Sequence, residues 1–344
     1  MSSIKSSASV AGAEWKFETG KLAGQANGAV LAQLGDTIVL ATAVMSKQPR
    51  EGMDFFPLLV DYEERLYAAG KIKGSRWMKR EGRATDDAIL TGRVIDRTLR
   101  PMFPDNMRND VQVVVTILSV DGENDADIVA VNAAAMALHI SDIPFDGPVA
   151  SVRVAKVDGQ YVANPTNSQR ELSAMDLVVC GTAEHIIMVE AGANLVPEEE
   201  IVAGIEFAQK HLAELCSAQE DLRSQVGKPK VEPTLKTLSS EVFSKVAELL
   251  TEDKIESAVY VKNKAEREAN IFNLINEITE QVKAELGELE GVNVGRETAA
   301  SIDKIMKKYI QKQILEQERR VDGRRLDETR LITAEVGVLP RAHG

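Results

Sequence analysis

Between residues 238 and 318 the chain contains no proline and no alternation of apolar and polar residues. Its apolar side chains recur there at helical spacing, as in "VFSKVAELL" and "IFNLINEITEQVKAEL". Residues 8 to 226 show the opposite pattern, short apolar runs broken by turn signals, and the Pro/Lys stretch at 227–237, opening "GKPKVEPT", separates the two regimes. Such a break excludes a single sheet or a single bundle. It implies an α+β unit with a mixed-sheet core (8–226), a linker (227–237) and an all-helical unit (238–318). With 344 residues the chain is long enough for both.

In the first unit, "GAVLAQLGDTIVLATAV" (28–44) reads as two strands about a Gly35-Asp36 turn. Pro57, before "LLVDYE", marks an edge strand or a bend. Thr85, followed by Asp86 and Asp87, is a good helix start, since acceptors and negative charge suit the free N–H groups there; Pro101 ends that helix. A buried strand from 111, a small-residue helix with Asp125 or Asp127 near its cap, and hairpins at Asp158-Gly159 and Gly181-Thr182 follow. An amphipathic helix from Glu198 to about Arg223 closes the unit.

Charge is unevenly distributed. The chain carries 41 Lys+Arg against 53 Asp+Glu, a net −12, yet residues 71 to 100 hold nine basic and four acidic side chains. Screening limits the reach of distant charge to about 8–10 Å, so this local surplus acts on its own. Its densest part is "KGSRWMKREGR" (73–83), where Arg76, Lys79, Arg80 and Arg83 surround Trp77. Cations that hold phosphates beside a ring on which a base stacks suit single-stranded nucleic acid. The alternative is a surface loop whose tryptophan packs on its own domain. Arg93, Arg97 and Arg100 share one helix face and would either line a phosphate path or form internal ion pairs with Asp96. The charges of the helical unit read as solvated faces.

Other features narrow the class. No run approaches the roughly 20 apolar residues of a membrane span, and the first residues, "MSSIKSSASV", have no secretory core segment, so a cytoplasmic location is expected. Cys180 and Cys216 read as buried, reduced thiols. The four histidines have no metal-ligand spacing; His139 and His185 read as structural, and His211 as facing solvent.

Five stretches in order, "FETGKLAGQANGAVLAQLGDTIVLATAV", "DFFPLLVDYEERLYAAGKI", "GRATDDAILTGRVIDRTLRPMFP", "DIVAVNAAAMAL" and "IPFDGPVASVRV", resemble consecutive motifs of the bacterial polynucleotide phosphorylase family. "EVGVLPRAHG" (335–344) echoes "ETGKLAGQANG" (18–28), and "RRVDGRR…GVLPRAHG" resembles the opening of that family's second core. The resemblance implies a first ribonuclease PH-like core, a helical domain, and at 319–344 the truncated start of a second ribonuclease PH-like core. It also implies a ring-shaped homotrimer that degrades RNA from the 3′ end in mRNA degradation. Inorganic phosphate is the attacking substrate, and Mg2+ is held in the second core.

By the same resemblance, Arg76, Trp77, Lys79, Arg80 and Arg83 are RNA contacts at a channel constriction, with Met78 in place of a second aromatic. Arg93, Arg97, Arg100, Arg341 and His343 are candidates for a phosphate path. The second core's metal-binding aspartates have Ser168 and Ala174 as symmetric counterparts here, and its phosphate-binding serines have Asp125 to Ile128. Neither set fits catalysis, so no catalytic residue and no metal ligand is expected in this chain, which by itself is expected to be inactive. Glu171 and Asp176 are a weak acidic pair. If the natural chain ends at Gly344, the alternative is a non-catalytic RNA-binding or ring-forming scaffold.

Overall fold

The computed structural model describes residues 3–50, 53, 55–72, 82–233, 235, 237–287, 289 and 292–341. The chain divides into two compact units, Met1–Lys236 and Thr237–Gly344.

The first unit begins with β1 (Ile4–Val10), β2 (Ala13–Thr19), β3 (Gly28–Leu34), β4 (Thr37–Pro49) and β5 (Leu58–Glu63). Then come α1 (Asp86–Leu99), β6 (Asn109–Ser119) and α2 (Ala126–Ile140). These strands form one sheet in the order β1-β2-β3-β4-β6-β5, antiparallel except for the parallel β5–β6 pair. Pro57 immediately precedes β5, which lies at the sheet edge, where a missing N–H costs least. Every second residue of β3, and of β4 as far as Ala43, is buried, including Val30, Ala32, Val39, Ala41 and Ala43, so the period-2 pattern lays one face on the core.

A second, antiparallel sheet follows: β7 (Ala150–Val157), β8 (Gln160–Ala163), a one-turn α3 (Asn167–Arg170), β9 (Met175–Gly181) and β10 (Ile186–Ala193), in the order β10-β9-β7-β8. The long α4 (Glu198–Val226) packs on β7 and β9. Central to the unit is α2, buried from Ile128 to Ile140 and touching β3, β4, β6, β7, α1 and α4. Its alanines permit the close approach: a Cβ on Gly28 would run into the Ala137 carbonyl. The side chain of Asn132 is buried within this packing. Its Nδ2 donates to the Ile128 and Ser151 carbonyls, and its Oδ1 accepts from the Ser151 N–H at 3.0 Å, tying the helix to β7.

Cys180 and Cys216 are free and buried, and burial pushes their thiols up to about 11 and about 12. They stay protonated and inert. His139 is buried too and is held neutral: burial, with Arg223 and Lys230 nearby, pushes it down to about 3. His185 is exposed, its carbonyl closing the β9–β10 turn by accepting from Thr182 N. His211 departs from the expectation of a solvent-facing residue. It is buried, edge-on to Phe207 at 5.0 Å and 2.9 Å from Glu214, because α4 buries more of its circumference than its polar residues announce.

Residues 227–231, read from sequence as linker, are bonded to the first unit. Lys228 N donates to Ile140 O, Val231 N to Asp142 O, and Lys230 Nζ to the carbonyls of Leu138, His139 and Ser141. Lys230 thereby satisfies the free carbonyls at the end of α2, where a cation also suits the helix dipole. Its burial there, beside Arg223, pulls it down to about 8.

The second unit is α5 (Ser240–Leu249), α6 (Glu252–Val259), α7 (Lys264–Leu286) and α8 (Val294–Gln317) around a core that includes Val242, Val246, Ile255, Ile278, Val282 and Ile302. Beyond α8, Arg319 stacks on the Tyr260 ring at 3.8 Å and pairs with Glu256 at 2.9 Å. Residues 319–341 contain no helix or strand, and Leu331, Ile332 and Val336 are almost fully exposed.

Candidate nucleic-acid interface and a closed ion cluster

The loop that carries most of the sequence-read contacts is rooted at both ends by local bonding. On one side a 3₁₀ turn, Leu66–Ala69, ends at Gly70, whose φ of 66° glycine adopts without strain; Lys71 N then donates to Leu66 O. On the other side Thr85 caps α1 by accepting from Ala88 N at 3.0 Å, and its hydroxyl donates to Glu64 Oε2 at 2.8 Å. The start of α1 is thus tied to the segment after β5. Arg76, Trp77, Met78, Lys79 and Arg80 lie outside the described residues, as does His343. Arg83, at the second root, is exposed.

Between the two roots lies a cleft of about 870 Å³ bordered by β5, the 3₁₀ turn and α1. Its described charges balance: Arg65, Lys71, Arg83 and Arg93 face Asp61, Glu63, Glu64 and Asp96. Arg65 pairs with Glu63. The surplus of positive charge therefore resides, by sequence, in residues 73–80, outside the described residues, rather than in the cleft wall.

The three arginines of α1 separate in the structure. Arg100 is committed internally, donating to Asp96 Oδ1 at 2.6 Å and to the carbonyls of Phe56 and Leu58, which anchors α1 to the start of β5. This is the internal pair with Asp96 that the sequence offered as the alternative to a phosphate contact: the guanidinium lies 5.8 Å from the centre of the Phe56 ring, and three partners engage it. Arg93 lines the cleft, and Arg97 is exposed; neither forms an ion pair with a described residue. Arg341 is exposed in the segment after α8.

A second constellation was missed from sequence. Arg153 lies at the middle of β7 with only 7% of its side chain exposed. Its guanidinium meets Asp125 at 2.8 Å, Asp127 at 2.5 Å and Asp176 at 2.5 Å. Arg170, from α3, adds contacts to Asp125 at 2.8 Å and Asp176 at 2.6 Å. The signal was present: a lone arginine in the apolar run "ASVRVAKV" must find partners if its strand is buried. Asp125 occupies the N-cap position of α2 without capping it, because Arg153 and Arg170 draw its carboxylate away.

Electrostatics inside the cluster differ from group to group. Burial, with Asp127 beside it, pushes Asp125 up to about 6 despite two guanidiniums. Burial acts on Asp176 in the same sense, but Arg153 and the hydrogen bond from Arg170 hold it below the usual range. Tyr62, which lines the cleft, is pushed up by burial and by Asp127. The flanking Ser168 is exposed and donates to Glu123 Oε1 at 2.8 Å, Ala174 offers only its backbone, and Glu171 is exposed.

These donors do not fit a magnesium ion. Three carboxylates stand close together, but their oxygens are already taken by five guanidinium contacts. Nor do they fit phosphate, which they would repel. Removing Arg153 leaves three partly buried carboxylates with one partner. Arg153→Met is expected to destabilise the first unit by about 3–5 kcal/mol. Urea denaturation followed by circular dichroism measures it, and a loss below about 1 kcal/mol would mean that the cluster is not held by this residue.

Comparison with known proteins agrees with this architecture. Residues 14–144 match the 3′ exoribonuclease family, domain 1, and residues 147–211 match its domain 2. Residues 241–325 match the polyribonucleotide nucleotidyltransferase RNA-binding domain. Polyribonucleotide nucleotidyltransferases of Heliobacterium modesticaldum and Halothermothrix orenii are 47% and 46% identical over 97% of this chain, which covers 46% and 48% of them. The chain thus spans about half the length of the curated relatives it matches. The crystal structure of rice (Oryza sativa) Rrp46, 14% identical, superposes with a TM-score of 0.50 over 61% of this chain and 94% of that one, a likeness of fold alone. Together with the two-sheet core and the helical unit that follows it, these matches place the chain in the polyribonucleotide nucleotidyltransferase family, its first unit having the ribonuclease PH-like fold.

Proposed function

We propose that this chain supplies RNA-channel contacts and ring scaffold to a phosphate-dependent 3′-to-5′ exoribonuclease, a polyribonucleotide nucleotidyltransferase active in cytoplasmic mRNA degradation. In this reading Mg2+ and the groups that handle inorganic phosphate lie outside the first unit, and the working form is a homotrimer. Among the described residues no helix is long and apolar enough to cross a membrane.

The observation that carries the reading is the division of labour inside the first unit. Positive charge is concentrated by sequence in 73–83, between flanking segments fixed at Gly70 and Thr85. In this reading Asp125 and Asp127, counterparts of the phosphate-binding groups, are engaged instead by Arg153 and Arg170. RNA is gripped at the loop through stacking on Trp77 and phosphate contacts from Arg76, Lys79, Arg80 and Arg83. Arg93, on the cleft wall, and Arg97 extend the cationic path.

Binding of labelled single-stranded RNA to the chain, measured across salt concentrations, tests this. Trp77→Ala is expected to weaken binding by about 1–3 kcal/mol with little change in salt dependence, because stacking releases few ions. Replacing Lys79 and Arg80 by alanine lowers the salt slope by about 1–2. A Trp77→Ala protein that melts earlier but binds RNA unchanged would make Trp77 a packing residue and end the channel reading.

The chain alone is also expected to release no nucleoside diphosphates from RNA in the presence of phosphate and magnesium. Release above a no-protein control, from fully purified chain, would contradict the assignment of the chemistry elsewhere.

A further inference from the structure

The cleft bordered by β5, the 3₁₀ turn and α1 has two unlike parts. Its volume of about 870 Å³ is that of a small-molecule site. The inner wall is apolar: Ala68, Ala88 and Ile117 are buried there, and Val60 and Ala126 extend the same surface. The mouth is charged, and its acids and bases differ in what they are free to do. Glu63 is paired with Arg65 and Asp96 with Arg100, while Glu64 accepts from the Thr85 hydroxyl and Asp61 from the Gln112 amide. Lys71, Arg83 and Arg93 are exposed and form no ion pair with a described residue.

Three unpaired cations at the mouth of an apolar cleft suit an anionic group carried on an apolar body. Because the charges of the cleft balance overall, an inorganic anion gains little there, and binding needs the body as well. A third feature narrows the body. Tyr62 is half-buried in the cleft, and its hydroxyl has no hydrogen-bond partner among the described residues. Burial, with Asp127, Glu64 and Asp125 nearby, keeps that phenol protonated. A lone hydroxyl in so negative a surround favours a ligand edge that presents N–H donors over one that presents carbonyl oxygens.

We propose that this cleft is a site for a nucleotide whose base carries an amino group, the base held inward between the apolar walls with its N–H edge at Tyr62 and the phosphates held outward by Lys71, Arg83 and Arg93. A nucleotide unites the three properties the cleft asks for: flat apolar faces, a donor edge and an anionic tail. A sugar phosphate lacks the faces, and a small carboxylic acid lacks the donor edge. The site goes beyond the RNA reading. Arg83 and Arg93 serve both, so a bound nucleotide and a bound strand compete for them, whereas Tyr62 and Lys71 belong to the cleft alone.

Isothermal titration of the whole chain with GDP, ADP, UDP and pyrophosphate, without divalent ions, tests the site. GDP and ADP are expected to bind saturably at one site, about fivefold tighter than UDP, whose edge offers fewer donors. Pyrophosphate is expected to show no saturable binding. Tyr62→Phe should weaken GDP binding about fivefold and leave the affinity for single-stranded RNA unchanged. Lys71→Gln should weaken GDP binding and lower its salt dependence. No saturable binding of GDP or ADP would overturn the site, and so would pyrophosphate binding as tight as GDP, which would leave only the cations at the mouth. Equal affinity for UDP and GDP would turn the base outward and overturn it as well. GDP affinity indifferent to both substitutions would place the nucleotide elsewhere, and a Tyr62→Phe protein that melts earlier but binds GDP unchanged would make Tyr62 a packing residue; either overturns the proposal. None of these results bears on the RNA reading, which stands or falls with Trp77→Ala.

Discussion

A single buried guanidinium organises the middle of the first unit. Arg153 enters from β7 and gathers Asp125 and Asp127 from the start of α2 and Asp176 from β9, while Arg170 closes the group from α3. Desolvating a charge is costly, and the cost is offset only when every partner is in place. Two strands of the second sheet, the central helix and a one-turn helix are therefore held in one relative arrangement by a network that tolerates little displacement. The same network uses up the acceptors and donors from which a phosphate or metal site would be made.

The outer surface carries the complementary property. An acidic chain repels polyanions at long range, so any contact with RNA must come from local concentrations of positive charge acting within a screening length. The sequence provides one at 71–100. It has a tryptophan among its cations, the pattern for stacking combined with phosphate contacts.

Much of this was legible in the residues, and what was not has physical reasons. The helix start at Thr85, the Gly35-Asp36 hairpin and the Pro57 edge strand follow from local rules, and each appears at its place. His211 was misjudged because burial on α4 depends on which faces its neighbours cover, which helical periodicity does not fix. Lys228 and Lys230 looked like linker because their partners are distant in sequence: the Asn27 carbonyl for the Lys228 ammonium, and carbonyls at the end of α2, some ninety residues earlier, for Lys230. The ion cluster joins positions 125, 127, 153, 170 and 176, and only the topology brings these together. The pairing of Arg100 with Asp96 was one of two readings in the sequence; the Phe56 and Leu58 carbonyls that complete its engagement are distant in the chain and could not be read there.

The central claim is that the ion cluster closes the place where a phosphate would otherwise sit. Phosphorus NMR titration of inorganic phosphate against the chain and against its Arg170→Gln variant tests it most directly. The account predicts no saturable binding that distinguishes the two proteins, only weak, salt-sensitive association with the exposed cations. Saturable phosphate binding by the unaltered chain, lost in the Arg170→Gln variant, would show an open anion site in the cluster and contradict the account.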